Sequence, residues 1–274
     1  MSDLEVPLRV DGRIVAEYVL APDIDPTLVP RPYLHPVRTL AGTVVTDILP
    51  PDHEWHLGAG LAIADVAGTN LWGGRSYVHG SGYIWLPDHG RIEHVAWRRQ
   101  SDDVLEHDLV WRDQTSTDLL AEHRTITATF GPSPASWTLT FSTTLTNVRP
   151  TPIEIRSPAT NGRGDGAGYG GFFWRLPPTG DLQVVARDPR TADRAKGEDF
   201  VNGSDLPELT VAGVTGTTEG RPYSLTFTGL ADADRWFVRV AEYPAVGDAF
   251  AYRNPVVLAP GAALARTFKV AISD

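Results

Sequence analysis

The chain has 274 residues, 34 acidic against 24 basic side chains, a formal net charge of -10 and no cysteine. Negative charge spread without a basic block repels phosphate backbones and anionic bilayers, so neither nucleic acid nor a membrane surface is an expected partner. The missing cysteines remove disulfides, thiolate metal sites and a cysteine nucleophile; with no signal pattern and no run of about 20 apolar residues, the expectation is a soluble, cytoplasmic protein.

In chain order, short runs rich in Val, Ile, Thr and aromatic residues recur about every dozen positions, broken by 26 glycines and 22 prolines. They read as strands: "GRIVAEYVL", "RIEHVAWRR", "VLEHDLVWRD", "LLAEHRTITATF", "ASWTLTFSTTLTN", "DLQVVAR", "PYSLTFTGL", "RWFVRVAEY" and "ALARTFKVAI". The clearest is "ASWTLTFSTTLTN", where Trp137, Leu139, Phe141 and Leu145 alternate with Ser and Thr, the pattern of an antiparallel strand with one face buried. No long segment holds a 3.6-residue apolar period, so helices should be few and short. So many strands predict a large antiparallel β-sandwich, and with no linker dividing the series the expectation is one domain over residues 1–274. The Gly-rich segment "RSPATNGRGDGAGYGG" is a long connection that either hinges two halves or lines a site.

Two places break the strand pattern. In "LLAEHRTITATF", Glu122 and Arg124 fall on the same face as Leu120, Ile126, Ala128 and Phe130. An inward charged pair is costly unless it is paired or looks into a wet cavity, so it is either a buried ion pair or one end of a polar binding face. The other is "DILPPDHEWHLGAGLAIADVAGTNLWGG", which holds two of the eight histidines, His53 and His56, beside Pro50 and Pro51. The prolines exclude the helix of a metalloprotease HExxH motif.

The stretches "RPYLHPVRTLAGTVVTD", "PDHEWHLGAGLAIADVAGTNLWGGRSYV", "AGYGGFFWRLP" and "RWFVRVAEYPAVGDAFAY" together resemble a bacterial family of unknown function labelled PmoA-like or "methane oxygenase". The resemblance spans most of the chain. It implies a galactose-mutarotase-like supersandwich and a place near sugar oxidoreductases and sugar isomerases. Many members carry a third histidine and an arginine in the histidine motif, where Trp55 and Leu57 stand here.

Three chemistries fit the histidine stretch. With His35 from "LHPVR", His53 and His56 could hold a divalent transition metal. In a sugar site, histidines and a carboxylate shuttle a proton near neutral pH, which makes His53, His56 and Glu122 the candidate catalytic residues. Alternatively, the histidines satisfy backbone groups in a turn. Polar partners for a sugar would be His35, Arg38, Asn70, Arg75, Arg124 and Arg175; Trp72, Trp85 and Trp174 sit beside or near glycines where a flat ring can approach a ligand, with Trp72 and Trp174 the preferred stacking residues. The sequence holds no nucleophile elbow, Walker loop or dinucleotide fingerprint in its required context. The reading is a carbohydrate-active protein of epimerase, mutarotase or lyase type with no obligate cofactor. The alternatives are a non-catalytic sugar binder and a metal-dependent oxygenase-like protein.

Overall fold

The computed structural model describes residues 5–131, 133–164, 166–215 and 220–274, which leaves Met1 to Leu4 and Asp165 of the Gly-rich segment outside the described residues. Strand takes up 54% of the chain and helix 5%, as the missing helical period predicts. Nine strands form one sheet in the order Arg194–Lys196, Thr179–Arg187, Glu208–Thr215, Pro222–Thr228, Ala263–Ser273, Ser136–Asn147, Asp118–Phe130, Val104–Arg112 and Arg91–Gln100. The second sheet runs Glu5–Val10, Arg13–Val19, Tyr33–Val37, Ala59–Val66, Gly171–Arg175, Ala245–Ala249 and Arg235–Arg239; Thr69–Leu71 and Ile153–Arg156 branch from Ala59–Val66, and Val256–Leu258 pairs with Ile153–Arg156. Every pair of named strands among the described residues is antiparallel. A separate two-stranded hairpin joins Ser76–Val78 to Gly82–Ile84.

The nine-stranded sheet follows its sequence closely. Trp137, Leu139, Phe141 and Leu145 are all at most 1% exposed, and Phe141 lies opposite Ile126 on one side and Phe268 on the other. These side chains meet Phe172, Trp174, Trp236 and Val238 of the second sheet in one continuous core. Deleting one such buried side chain to alanine typically costs about 2–5 kcal/mol. Phe130, assigned to the same apolar face, is instead 67% exposed, at the last position of its strand.

The central strands of the second sheet are buried on both faces. Within Gly171–Arg175 all five residues are buried. Phe172 and Trp174 point between the sheets, while Phe173 joins a separate cluster on the outer face with Ala62, Trp72, Phe237, Ala245 and Ala249. Alternation then puts Arg175 and Arg239 on that same outer face, two residues on from Phe173 and Phe237. The loops that cover this face carry the site. The strand expected over "RWFVRVAEY" stops at Arg239, because the Val240 and Ala241 amides leave the ladder and donate to Glu198 Oε2 at 2.7 and 3.0 Å. Glu242 and Tyr243 are thereby turned into the covering layer. Among the described residues, no helix is long and apolar enough to cross a membrane.

Candidate functional site

Residues 47–58 form a closed loop at the edge of the outer face. Its ends are pinned by Gly58 N–H to Asp47 O and Leu49 N–H to His56 O, 3.0 and 2.9 Å. Between them, two consecutive turns close through His53 N–H to Pro50 O and His56 N–H to His53 O, each 2.9 Å. Pro50 and Pro51 cannot donate and hold φ near the turn value, so the chain takes turns where a helix would otherwise start. The loop is tied to the sheet by Asp47 N–H to Arg175 O and Arg175 N–H to Gly58 O, 3.0 and 2.8 Å.

A second loop packs on the first. Asn70 is 2% exposed; its Oδ1 accepts from the Trp72 and Gly73 amides at 2.9 and 2.8 Å, and its Nδ2 donates to Gly74 O at 3.2 Å and to Ser76 Oγ at 2.9 Å. Gly73 and Gly74 have φ of 107° and 67°, and a Cβ on either would lie 2.5–2.6 Å from Trp55. Glycine is therefore required twice over, for its backbone conformation and to let the Trp55 indole lie against the chain.

These loops and the hairpin enclose a cavity of about 550 Å3, a volume ordinary for a small-molecule site. Aromatic rings make most of the wall: Trp55, Trp72, Trp85, Tyr83, Tyr169, Phe237 and Tyr243. The charged lining is Asp52 and Glu242 with Arg75, Arg163 and Arg239. His53 and His56 lie in the wall with their rings stacked, centroids 4.7 Å apart and planes 21° apart. Tyr243 contacts both, at 4.4 and 5.2 Å between ring centres.

The hydrogen bonds of the two histidines fix opposite tautomers. Nδ1 of His53 lies 2.9 Å from Asp52 Oδ2. Burial opposes ionisation of Asp52, but the hydrogen bond and charge of His53 outweigh it and hold the carboxyl below its ordinary value. An ionised carboxylate only accepts, so Nδ1 of His53 carries a proton, and in the neutral ring Nε2 offers a lone pair. His56 is the reverse. Its Nδ1 lies 3.3 Å from Arg175 Nη1, and a guanidinium only donates, so Nδ1 accepts and the proton sits on Nε2. Burial, reinforced by His53, Arg175 and Arg31, pushes the His56 pKa well below 6.5 and keeps this ring neutral. Burial also pushes the Tyr243 phenol up to about 12, so it stays a donor.

Of the residues singled out from sequence, His53, His56, Trp72, Arg75 and Trp85 line the cavity. Arg175 does not line it but stands behind two lining rings, His56 and Tyr243, and Asn70 supports the Trp72 turn from behind. Trp174 is core, at 0% exposure, with its Nε1 donating to Val45 O at 2.8 Å. His35 bonds Thr46 Oγ1 at 2.9 Å and Arg38 pairs loosely with Glu17 at 3.8 Å; neither lines the cavity. The expected polar end built on Glu122 and Arg124 is a closed ion pair inside the sandwich. Both side chains are 0% exposed, with Arg124 Nε 2.7 Å from Glu122 Oε1. Trp111 Nε1 and Thr143 Oγ1 also donate to that carboxylate, at 2.7 and 2.9 Å, and Arg124 donates to Tyr18 Oη across the sheets at 2.8 Å. The expected ligand face also moves: the cavity opens on the outer face of the second sheet, away from the strand that carries this pair. With His35 turned to Thr46, no three His, Asp or Glu side chains converge as a metal set among the described residues.

Sequence reading missed Asp52 as the partner of His53, along with Tyr83, Arg163, Tyr169, Phe237, Arg239, Glu242 and Tyr243. The signal available for Phe237 and Arg239 was their i, i+2 spacing on one strand face. Asp52 directly precedes His53 in the same loop; nothing local marks the others, which arrive from separate segments of the chain.

No curated protein matches the chain. Among solved structures, a candidate aldose 1-epimerase from Escherichia coli K12 aligns over 99% of both chains with 12% identity and a TM-score of 0.45, too little for residue roles to pass from one to the other. The methane-oxygenase label has no counterpart in these matches. A single family model accounts for residues 5–274, and the chain belongs to that family, the family of unknown function DUF6807.

Proposed function

We propose that the cavity binds a carbohydrate and that His53 and His56 act on it as a base and acid pair, in an epimerase, mutarotase or lyase type of reaction. The observation that carries this reading is the pair of opposite tautomers in one aromatic wall. Nε2 of His53 takes a proton from a sugar hydroxyl, or from a C–H beside a carbonyl, and Asp52 stabilises the imidazolium through Nδ1. Neutral His56 presents an Nε2–H that donates to the oxygen gaining charge, and Arg175 holds that ring in orientation from behind. Trp55, Trp72 and Trp85 offer flat faces to the apolar side of a sugar ring, and Tyr243 adds a phenol donor. Tying each histidine to a different fixed partner keeps base and acid distinct without a metal ligand set.

NMR of a panel of aldoses, ketoses and sugar acids incubated with the protein tests this directly. Turnover of one member, lost in His53→Gln with the fold intact, is the expected result. Binding without turnover would make the protein a sugar-binding module on the same cavity. Failure of every sugar to bind would remove the carbohydrate reading altogether.

A further inference from the structure

The cavity treats its cations unequally. Arg239 is committed: it pairs with Glu198 at 3.6 Å and donates to the carbonyls of Val238 and Gly166. Arg175 is engaged with His56. Arg75 and Arg163 have no carboxylate partner among the described residues, although acidic side chains outnumber basic ones in this chain by 34 to 24. Each guanidinium is instead laid over an aromatic face, Arg75 over Trp85 at 5.9 Å and Arg163 over Tyr83 at 5.1 Å. Tyr83 and Trp85, in and just past the second strand of the hairpin, line the cavity together with both arginines, so two guanidinium groups without carboxylate partners stand in its wall. The acids of the cavity sit elsewhere: Asp52 is occupied by His53, and Glu242 adjoins Tyr243, which packs on both histidines. The cavity thus has a cationic wall and a separate wall of histidines and acids.

Resting on the carbohydrate reading above, we infer that the ligand is a sugar acid whose carboxylate is received by Arg75 and Arg163 while its ring hydroxyls face His53 and His56. The guanidinium fork matches a carboxylate with two parallel hydrogen bonds, and its weak hydration makes it the cheaper cation to bring against a ligand between aromatic rings. A neutral sugar would leave two like charges in the cavity wall unbalanced. A carboxylate neutralises them and fixes which end of the ring meets the histidines. Both arginines are exposed in the free protein, so replacing them does not disturb the core.

Calorimetric titration with glucuronate, galacturonate and gluconate, set against glucose, galactose and glucose 6-phosphate, tests the assignment. At least one sugar acid should bind about tenfold or more tighter than its neutral counterpart, the size of one well-made charged hydrogen bond. That preference should fall with added salt and vanish in the Arg75→Gln, Arg163→Gln double variant, whose melting temperature should match the wild type. Equal affinity for acids and neutral sugars would overturn the sugar-acid assignment and leave the carbohydrate site standing. Tighter binding of the phosphosugar than of any carboxylate would also overturn it. No binding of any sugar would remove both.

Discussion

The two charged clusters of this protein look alike in sequence and differ in the one respect that decides their role. The Glu122–Arg124 pair sits between the sheets with its lone pairs and protons used: the carboxylate meets Arg124, Trp111 and Thr143, and Arg124 also reaches Tyr18. The His53–His56 pair sits under loops on the outer face of the opposite sheet, and Nε2 of each ring has no protein partner among the described residues. A network with every group bonded specifies packing; one with unbonded groups beside a cavity has chemistry to spare. Inward-pointing charge is therefore a poor sign of a site until its partners are counted.

The largest expected effect breaks the first cluster. Glu122→Ala leaves Arg124 charged and unpaired in the core, and urea denaturation should show a loss of about 3–5 kcal/mol. If Glu122 served the ligand, stability would hold and binding would fall. The histidines should then separate from each other. His53→Gln, at a ring 27% exposed, should lower turnover of a sugar substrate about 10²–10⁴-fold and shift stability by no more than about 0.5 kcal/mol. His56→Ala, at a residue 1% exposed, should cost stability as well, about 1–3 kcal/mol. Equal melting of the two variants would erase the distinction between an open base and a buried acid.

Proton linkage sharpens the same contrast. Burial holds His56 well below 6.5 and His107, which bonds Tyr18 beside the first cluster, at about 2. Below pH 6.5 the unfolded chain takes up protons that the native rings refuse, so stability should fall as pH drops through that value toward 2. His107→Gln should flatten that acid slope by up to one proton, read as urea midpoints across pH.

Asp248 runs the other way. It is 2% exposed beside the Asp234–Arg266 pair, and burial followed by the charge of Asp234 raises its pKa well above 3.8. A carboxyl with a raised native pKa loses stability as pH climbs above 3.8. Asp248→Asn should therefore stabilise the protein at pH 7 by about 1 kcal/mol, the net worth of one hydrogen bond, with the gain fading below pH 4. The smallest effect concerns chain organisation. Both sheets join strands from the two halves of the sequence, and we propose one folding unit: proteolytic nicking near Thr160 should leave fragments that elute together on gel filtration.

Legibility followed burial. Seven of the nine strands of one sheet were readable because one face meets water, which writes a period of two into "SWTLTFSTTLTN". Strands of the other sheet such as "GFFWR" and "AVGDA" are buried on both faces and carry no alternation, so only Arg13–Val19 and Arg235–Arg239 of that sheet were seen. His53, His56, Trp72 and Arg75 stood out because prolines, glycines and histidines cluster around them. Trp174 shares the same glycine context, yet alternation from Phe173 turns it into the core.

By itself, then, the sequence determined the all-β class, the antiparallel pairing and the turn-bound histidines, since each follows from local periodicity or from the fixed φ of proline. Only the tertiary structure decided that Asp52 partners His53, that Arg175 stands behind His56, and that Tyr83, Tyr169 and Tyr243 close one cavity. Those side chains come from loops up to 191 positions apart, and nothing in the spacing of residues along a chain encodes which loops a twisted pair of sheets will bring together.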